Sequence, residues 1–261
     1  MRFFLYAFLF LIFPLTCHTL PTSSRSEKVL AAHQGMVQTA CLKAGVSLAS
    51  PLFIRLFKED KPSFGYFNIY RGRVELWGKV GERYNRIFSF PIIHFPGGFG
   101  PPTTAKETAH NLPEGFFEIS QDQLIPLSAQ YLGVSLGHAP GSPFEEGLNG
   151  TSAKQVMLHG GLHGRQGFGI GRKNMSLLYT ALHIHFSEKG VPIPVHVFPF
   201  HFTTDNLYPH RQSQHLKFWN ALLPAYFYFE KFAQLETETG CERTDDQHAQ
   251  TTPSPKIERL S

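Results

Sequence analysis

Six glycines fall among the thirteen residues His159-Gly160-Gly161-Leu162-His163-Gly164-Arg165-Gln166-Gly167-Phe168-Gly169-Ile170-Gly171, and the groups among them that could do chemistry are two imidazoles and a guanidinium. A strand pattern, Lys154 to Leu158, runs into this stretch and a helical pattern leaves it, so its amides can converge on an anion at a helix start. Arg165, Arg172 and Lys173 flank it and would complete a phosphate or carboxylate cradle. No Gly-Lys-Ser/Thr closes the stretch as in a P-loop, and no well-placed G-x-G-x-x-G is present. A flexible turn accounts for the same glycines, and spacing alone does not choose between the two.

Eight of the 14 histidines lie between His159 and His215, which raises metal binding. A pair four apart serves zinc when both imidazoles share a helical face with a Glu between them. His159 and His163 enclose Gly-Gly-Leu instead, which neither holds a helix nor supplies a carboxylate. His183 and His185 diverge by ~200° on a helix and cannot face one ion. Structural or solvent roles are therefore expected for most of these histidines, and no metal or cofactor.

The elements that must position this segment can be read from periodicity. Ser26 to Ala44 carries apolar residues at helical spacing, with Ser26 as N-cap and Gly45 as stop, which makes Cys41 a core residue. Short β-rich runs follow at Leu52 to Phe57, Gly65 to Tyr70, Arg73 to Val80 and Tyr84 to Phe95, separated by Pro and Gly clusters. After a Gly/Pro/Thr-rich loop, Pro96 to Asn111, come strands Gly115 to Ile119 and Gln130 to Leu136. Asn174 to Lys189 reads as a helix closed by Gly190, Ile193 to Phe198 as a strand, and Gln214 to Gln234 as a last amphipathic helix. Many strands with three helices make one α+β domain around a curved sheet or sandwich.

Composition agrees. The 261 residues include 25 Phe but only 2 Trp, with 23 Gly and 19 Pro, which favours strands and turns over a helix bundle. Charged residues at 17% and hydrophobics at 42% exclude a largely disordered chain. Three cysteines, Cys17, Cys41 and Cys241, are too few for a disulfide scaffold or a Cys-rich zinc module. Net charge is +4 overall, which does not suggest nucleic acid; without Arg2 and the residues from Leu235 on, 20 basic and 14 acidic residues leave +6, suited to an anionic ligand. Met1 to Thr19 holds Arg2, an apolar run from Phe3 to Phe13 and then Pro14 and small polar residues, the pattern of a secretory signal peptide. That run is short of the ~20 residues of a membrane span, and an uncleaved anchor is the alternative. The expected organisation is a signal peptide at 1–19, a domain at 20–234 and a disordered tail at 235–261, with no membrane span after cleavage.

Six stretches carry a family resemblance: Phe53-Ile54-Arg55-Leu56-Phe57-Lys58-Glu59, Val74-Glu75-Leu76-Trp77, Tyr84 through Ile92, Leu112-Pro113-Glu114-Gly115-Phe116-Phe117, Val156-Met157-Leu158-His159-Gly160, and Val195-His196-Val197-Phe198-Pro199-Phe200. In these, in their order and across residues 27–230, the chain resembles the YkuD-type L,D-transpeptidase family, in particular its murein transpeptidase-like branch in diderm bacteria. The resemblance implies a YkuD-like β-sandwich with flanking helices, a periplasmic location and a role in peptidoglycan metabolism. Lys61 to Arg73 looks like an insertion, and His201 stands where relatives usually carry Arg.

A third departure bears on the chemistry. In similar proteins the His-Gly pair is followed by Ser-x-Gly-Cys, whose thiolate attacks the carbonyl between diaminopimelate and D-Ala of a stem peptide. Laid on His159 without gaps, that motif puts Gly164 at the Ser and Gly167 at the nucleophile; sliding by one residue gives Phe168. No cysteine lies between Cys41 and Cys241. A base and an oxyanion hole without a nucleophile leave only residual catalysis. The resemblance thus implies a degenerate transpeptidase that keeps stem-peptide binding. On that resemblance His159 and Gly160 are expected to line the ancestral site, Gly167 to occupy the vacant nucleophile position, and His163, Arg165, Arg172 and Lys173 to serve substrate binding. The competing reading is an active transpeptidase, carboxypeptidase or amidase-like hydrolase using a metal or another nucleophile, with Ser176, Thr180 and a folded-back Cys241 as candidates.

Overall fold

In the computed structural model, which describes residues 24–59, 72–95, 98–100, 114–137, 156–162 and 167–234, the first helix α1 spans Arg25–Ala44. Its N-cap is Ser24, not Ser26. Ser24 Oγ accepts the Glu27 N–H at 3.3 Å while the Glu27 carboxylate accepts the Ser24 N–H at 2.6 Å, a reciprocal box that Glu27 completes from the third helical position. Gly45 ends the helix in the left-handed conformation at φ 64°. Cys41 is buried and unpaired as expected, its thiol pushed up to about 11 by burial and by Glu188.

The remaining elements are β1 (Leu52–Glu59), β2 (Arg73–Val80), β3 (Arg83–Pro91), β4 (Gly115–Ile119), β5 (Leu124–Ser128), β6 (Tyr131–Gly137), β7 (Val156–His159), β8 (Gly167–Gly169), α2 (Arg172–Glu188), β9 (Ile193–Phe200), α3 (Thr204–Leu207), α4 (Leu216–Phe232) and β10 (Ala233–Gln234). Two sheets result, one in the order β10-β3-β2-β1-β9-β4 and one in the order β5-β6-β7-β8. One core joins them: Ile54, Leu56, Val74 and Leu76 of the larger sheet cluster with Val134, Leu158 and Phe168 of the smaller, and with Val37 of α1 and Leu178 and Leu182 of α2. The architecture is α+β and compatible with a YkuD-like β-sandwich with flanking helices. The strand expected at 65–70, the leader at 1–19 and the tail from 235 lie outside the described residues. No helix among the described residues is long and apolar enough to cross a membrane.

Arg55, on the larger sheet, pairs in register with Glu75 on β2 and His196 on β9, a polar row. Arg55 is buried, reaches Glu230 of α4 at 2.6 Å, and packs against Phe57, Phe198, Tyr226 and Phe229. His201 stacks on Phe57 with ring centroids 3.7 Å apart. At the end of β1, Lys58 donates to Glu114 at 2.8 Å and to Gly98 O at 3.0 Å, while Glu114 also accepts from the Gly100 N–H and from Trp219 Nε1–H. Lys58 and Glu114 are thus each met by hydrogen bonds as well as by the opposite charge.

Candidate functional site

The His-Gly segment is positioned by strand pairing. β7 and β8 run parallel with Met157 opposite Gly167, Leu158 opposite Phe168 and His159 opposite Gly169. On the other side, β6 pairs antiparallel to β7 and sets Gly133 opposite His159. Leu158 and Phe168 are fully buried in the core, each contributing roughly 2–3 kcal/mol by burial. Alternation turns His159 to the other face, where its neighbour on both adjacent strands is a glycine.

β8 is three residues long, yet it is held from both sides. Gly169 N–H donates to His94 O at 2.7 Å, and Gly169 O accepts from the N–H groups of Ile93 and His94 at 2.8 and 3.3 Å. A β-carbon on Gly167 would stand 2.1 Å from Met157 O and 3.0 Å from His159 Cδ2; one on Gly169 would stand 2.5 Å from Gly161 O and 3.3 Å from His159 Cε1. Glycine at both positions is what lets β8 lie this close to β7 and to the imidazole.

His159 is completely buried. Its Nδ1 accepts the Gly161 N–H at 3.1 Å, its carbonyl accepts from Ile170 N–H at 3.0 Å, and its Nε2 has no hydrogen-bond partner. Burial, then the nearby His94, pushes its pKa down from 6.5 to about 4, so the ring is neutral at pH 7.

Gly160 faces the other neighbours. A β-carbon there would lie 2.8 Å from Tyr131 Cδ1, 3.2 Å from Met175 Cβ and 3.3 Å from Arg172 Cα, so a side chain would push α2 and Tyr131 off the His-Gly pair. Tyr131 has φ 86°, a left-handed conformation that costs a non-glycine residue about 1–3 kcal/mol. Ser176 Oγ donates to Arg172 O at 2.9 Å, so the Tyr131 hydroxyl donates to Ser176 Oγ at 3.0 Å. The guanidinium groups of Arg25 and Arg172 stand 5.9 and 5.6 Å from the Tyr131 ring centroid. Tyr131→Phe is expected to cost about 1 kcal/mol in urea denaturation by removing the Ser176 bond. No measurable change would show that this contact does not hold the first turn of α2.

Of the residues singled out from sequence, the structure brings His159, Gly160, Gly167 and, through Gly160, Arg172 together. Lys173 is exposed on the first turn of α2, and His163 and Arg165 lie outside the described residues. α2 opens at Arg172 after Gly171 (φ 82°), two residues before the expected Asn174; Asn174 instead donates its side-chain amide to Ile170 O at 2.9 Å. Ser176 is committed to Arg172 O and Tyr131, and Thr180 is fully buried. Cys241 lies outside the described residues. His185 donates from Nδ1 to Leu48 O at 2.7 Å, and His183 stacks near Tyr179. Among the described residues no three His, Cys, Asp or Glu side chains converge as metal ligands. His94, Tyr131, Gly133, Gly161 and Gly169 shape the site and were not found from sequence. Their roles depend on backbone pairing across distant segments, and only the glycine density around Gly161 and Gly169 carried any signal.

No family model matches the chain. Two curated proteins named "Putative L,D-transpeptidase YafK", from two strains of Escherichia coli, are each 26% identical over 184 residues, covering 70% of this chain and 68% of theirs. A solved structure, "Structure of Bdellovibrio bacteriovorus Bd1075", is 15% identical with a TM-score of 0.29 and carries no argument at that score; the match covers 70% of this chain and spans 62% of the length of that one. The similarity to the two YafK proteins extends over most of the chain and agrees with its resemblance to L,D-transpeptidases.

Proposed function

We propose that the protein is an exported, periplasmic, L,D-transpeptidase-like component of peptidoglycan metabolism that binds diaminopimelate stem peptides and does not process them. Its organisation on this reading is a signal peptide at 1–19, the binding domain at 20–234 and a tail at 235–261. The observation that carries the reading is the glycine pair beside His159. L,D-transpeptidation through an acyl-enzyme needs a thiolate that forms a bond to the scissile carbonyl carbon while the leaving amine takes a proton. The chain has no cysteine between Cys41 and Cys241, and β8 offers glycine at 167 and 169, the positions flanking the imidazole edge.

What the site retains suits binding. His159 is neutral, and Arg172 with Arg25 stands at Tyr131 without an acidic partner among the described residues' ion pairs. Guanidinium groups grip carboxylates through paired planar donors, and stem peptides carry several carboxylates. Isothermal calorimetry with the diaminopimelate tetrapeptide is expected to give saturable heat at millimolar ligand or below. Absence of heat at that concentration would remove the binding reading.

A further inference from the structure

We propose that His159 acts as a hydrogen-bond donor, through Nε2–H, to a carbonyl or carboxylate oxygen of the ligand, and not as a general base. The inference rests on the stem-peptide reading above for the ligand, and on the geometry of β7 and β8 for the role.

The two ring nitrogens have different surroundings. Nδ1 is occupied as an acceptor by the Gly161 N–H at 3.1 Å. An imidazole that accepts at Nδ1 and is neutral must carry its proton at Nε2. Nε2 is buried and unpartnered, so a donor has been taken out of water with nothing to receive it, a costly arrangement unless another molecule supplies the acceptor. A general base needs its free lone pair toward the acid it deprotonates. Here the lone pair faces Gly161 within the chain, and the other nitrogen presents a proton.

The neighbours of that edge favour a ligand over a protein side chain. Nε2 lies in the ring between Cδ2 and Cε1, the atoms nearest to where β-carbons on Gly167 and Gly169 would be, at 3.0 and 3.3 Å. Glycine at both positions means that neither residue covers the edge with a side chain of its own, while His94 Cβ would stand 3.4 Å from a β-carbon on Gly169. Met157, on the same face and only part-buried, extends its methyl group over Gly133, where a β-carbon would stand 2.8 Å from Met157 Cε. An unbranched thioether with three rotatable bonds can turn aside as a ligand enters. The titratable group that faces the imidazole is His94, from the segment bridged to Gly169.

The test is nitrogen-15 NMR of the full chain labelled at histidine, with the His159 signals assigned by their loss in His159→Gln. At pH 7 the expected pattern is a proton on Nε2 and none on Nδ1, and adding the diaminopimelate tetrapeptide should move Nε2 and its proton while Nδ1 stays an acceptor. In parallel calorimetry, His159→Gln, which keeps a donor, should bind the peptide within about threefold of the parent, and His159→Leu about tenfold more weakly. A proton on Nδ1, or peptide heat with an unmoved Nε2, overturns the donor role and leaves peptide binding standing. Absence of heat from the parent protein overturns the stem-peptide reading, and the donor role with it.

Discussion

Gly167→Cys is expected to lose about 3 kcal/mol of stability, and Gly167→Ala nearly as much, with neither variant gaining thiol-dependent acyl transfer. The cause is a backbone obstacle. The new β-carbon would meet Met157 O at 2.1 Å and Met157 C at 2.9 Å, atoms that belong to the paired strand β7 and cannot rotate aside. Relief requires β8 to move away from β7, and that disturbs Phe168, which is fully buried, and the bridge from Gly169 to His94. Alanine adds the same β-carbon without the sulfur, so equal losses in urea denaturation identify packing as the reason. A Gly167→Cys protein as stable as its parent, and forming an acyl adduct with the tetrapeptide, would show that the site has room for the family's nucleophile.

Acid is expected to weaken the fold well before most carboxylates titrate. His159 and His196 are both held near pKa 4 from an ordinary 6.5. Burial leads in both cases, with His94 as the second cause for His159 and Arg55 for His196. Above the unfolded value neither state binds the proton and stability is full. As the pH falls, the unfolded chain takes up protons that the folded one refuses, so stability declines until the folded value is reached. The expected loss is about 1 kcal/mol per histidine by about pH 5.5 and about 3 kcal/mol per histidine by about pH 4. His196 sits among rings, with Phe53 and Phe116 centroids at 4.6 and 4.5 Å. His196→Phe is therefore the variant that removes one titration while keeping the aromatic packing, and it should flatten the decline by about half. Denaturation midpoints that are unchanged between neutral and mildly acidic buffer would contradict the burial of these two imidazoles.

Much of the scaffold was legible because its patterns are local. The apolar spacing of α1 and its stop at Gly45, and the runs that became β2 and β4, depend on neighbours within a few residues. Ser24 takes the N-cap place expected for Ser26: both hydroxyl oxygens can accept from a first-turn N–H, and only the reach of Glu27 back to Ser24 separates them. Three strands were missed: the two-residue β10 lies where the last helix was expected to end, and β5 and β8 escaped for different reasons. β5 contains Pro126, which argues against a strand, but β5 lies at a sheet edge, where a missing N–H is tolerated. β8 is Gly-Phe-Gly and has no periodicity; it is a strand because β7 and the His94 segment supply partners on both sides. Of the residues singled out from sequence, His159, Gly160 and Gly167 lie together in the fold. The protonation of His159 depends on the Gly161 amide, and the ring that fixes Gly160 comes from Tyr131, which no spacing along the chain connects to it.

The central claim is that the protein binds a stem peptide beside His159 without turning it over. Its most direct test is mass spectrometry of the diaminopimelate tetrapeptide after overnight incubation with the full chain and a free D-amino acid as acceptor. The account predicts recovery of the tetrapeptide alone, with no D-Ala released and no exchanged product. Release or exchange of D-Ala that disappears in His159→Gln would contradict it and show that the site is an active enzyme using a group other than a cysteine beside His159.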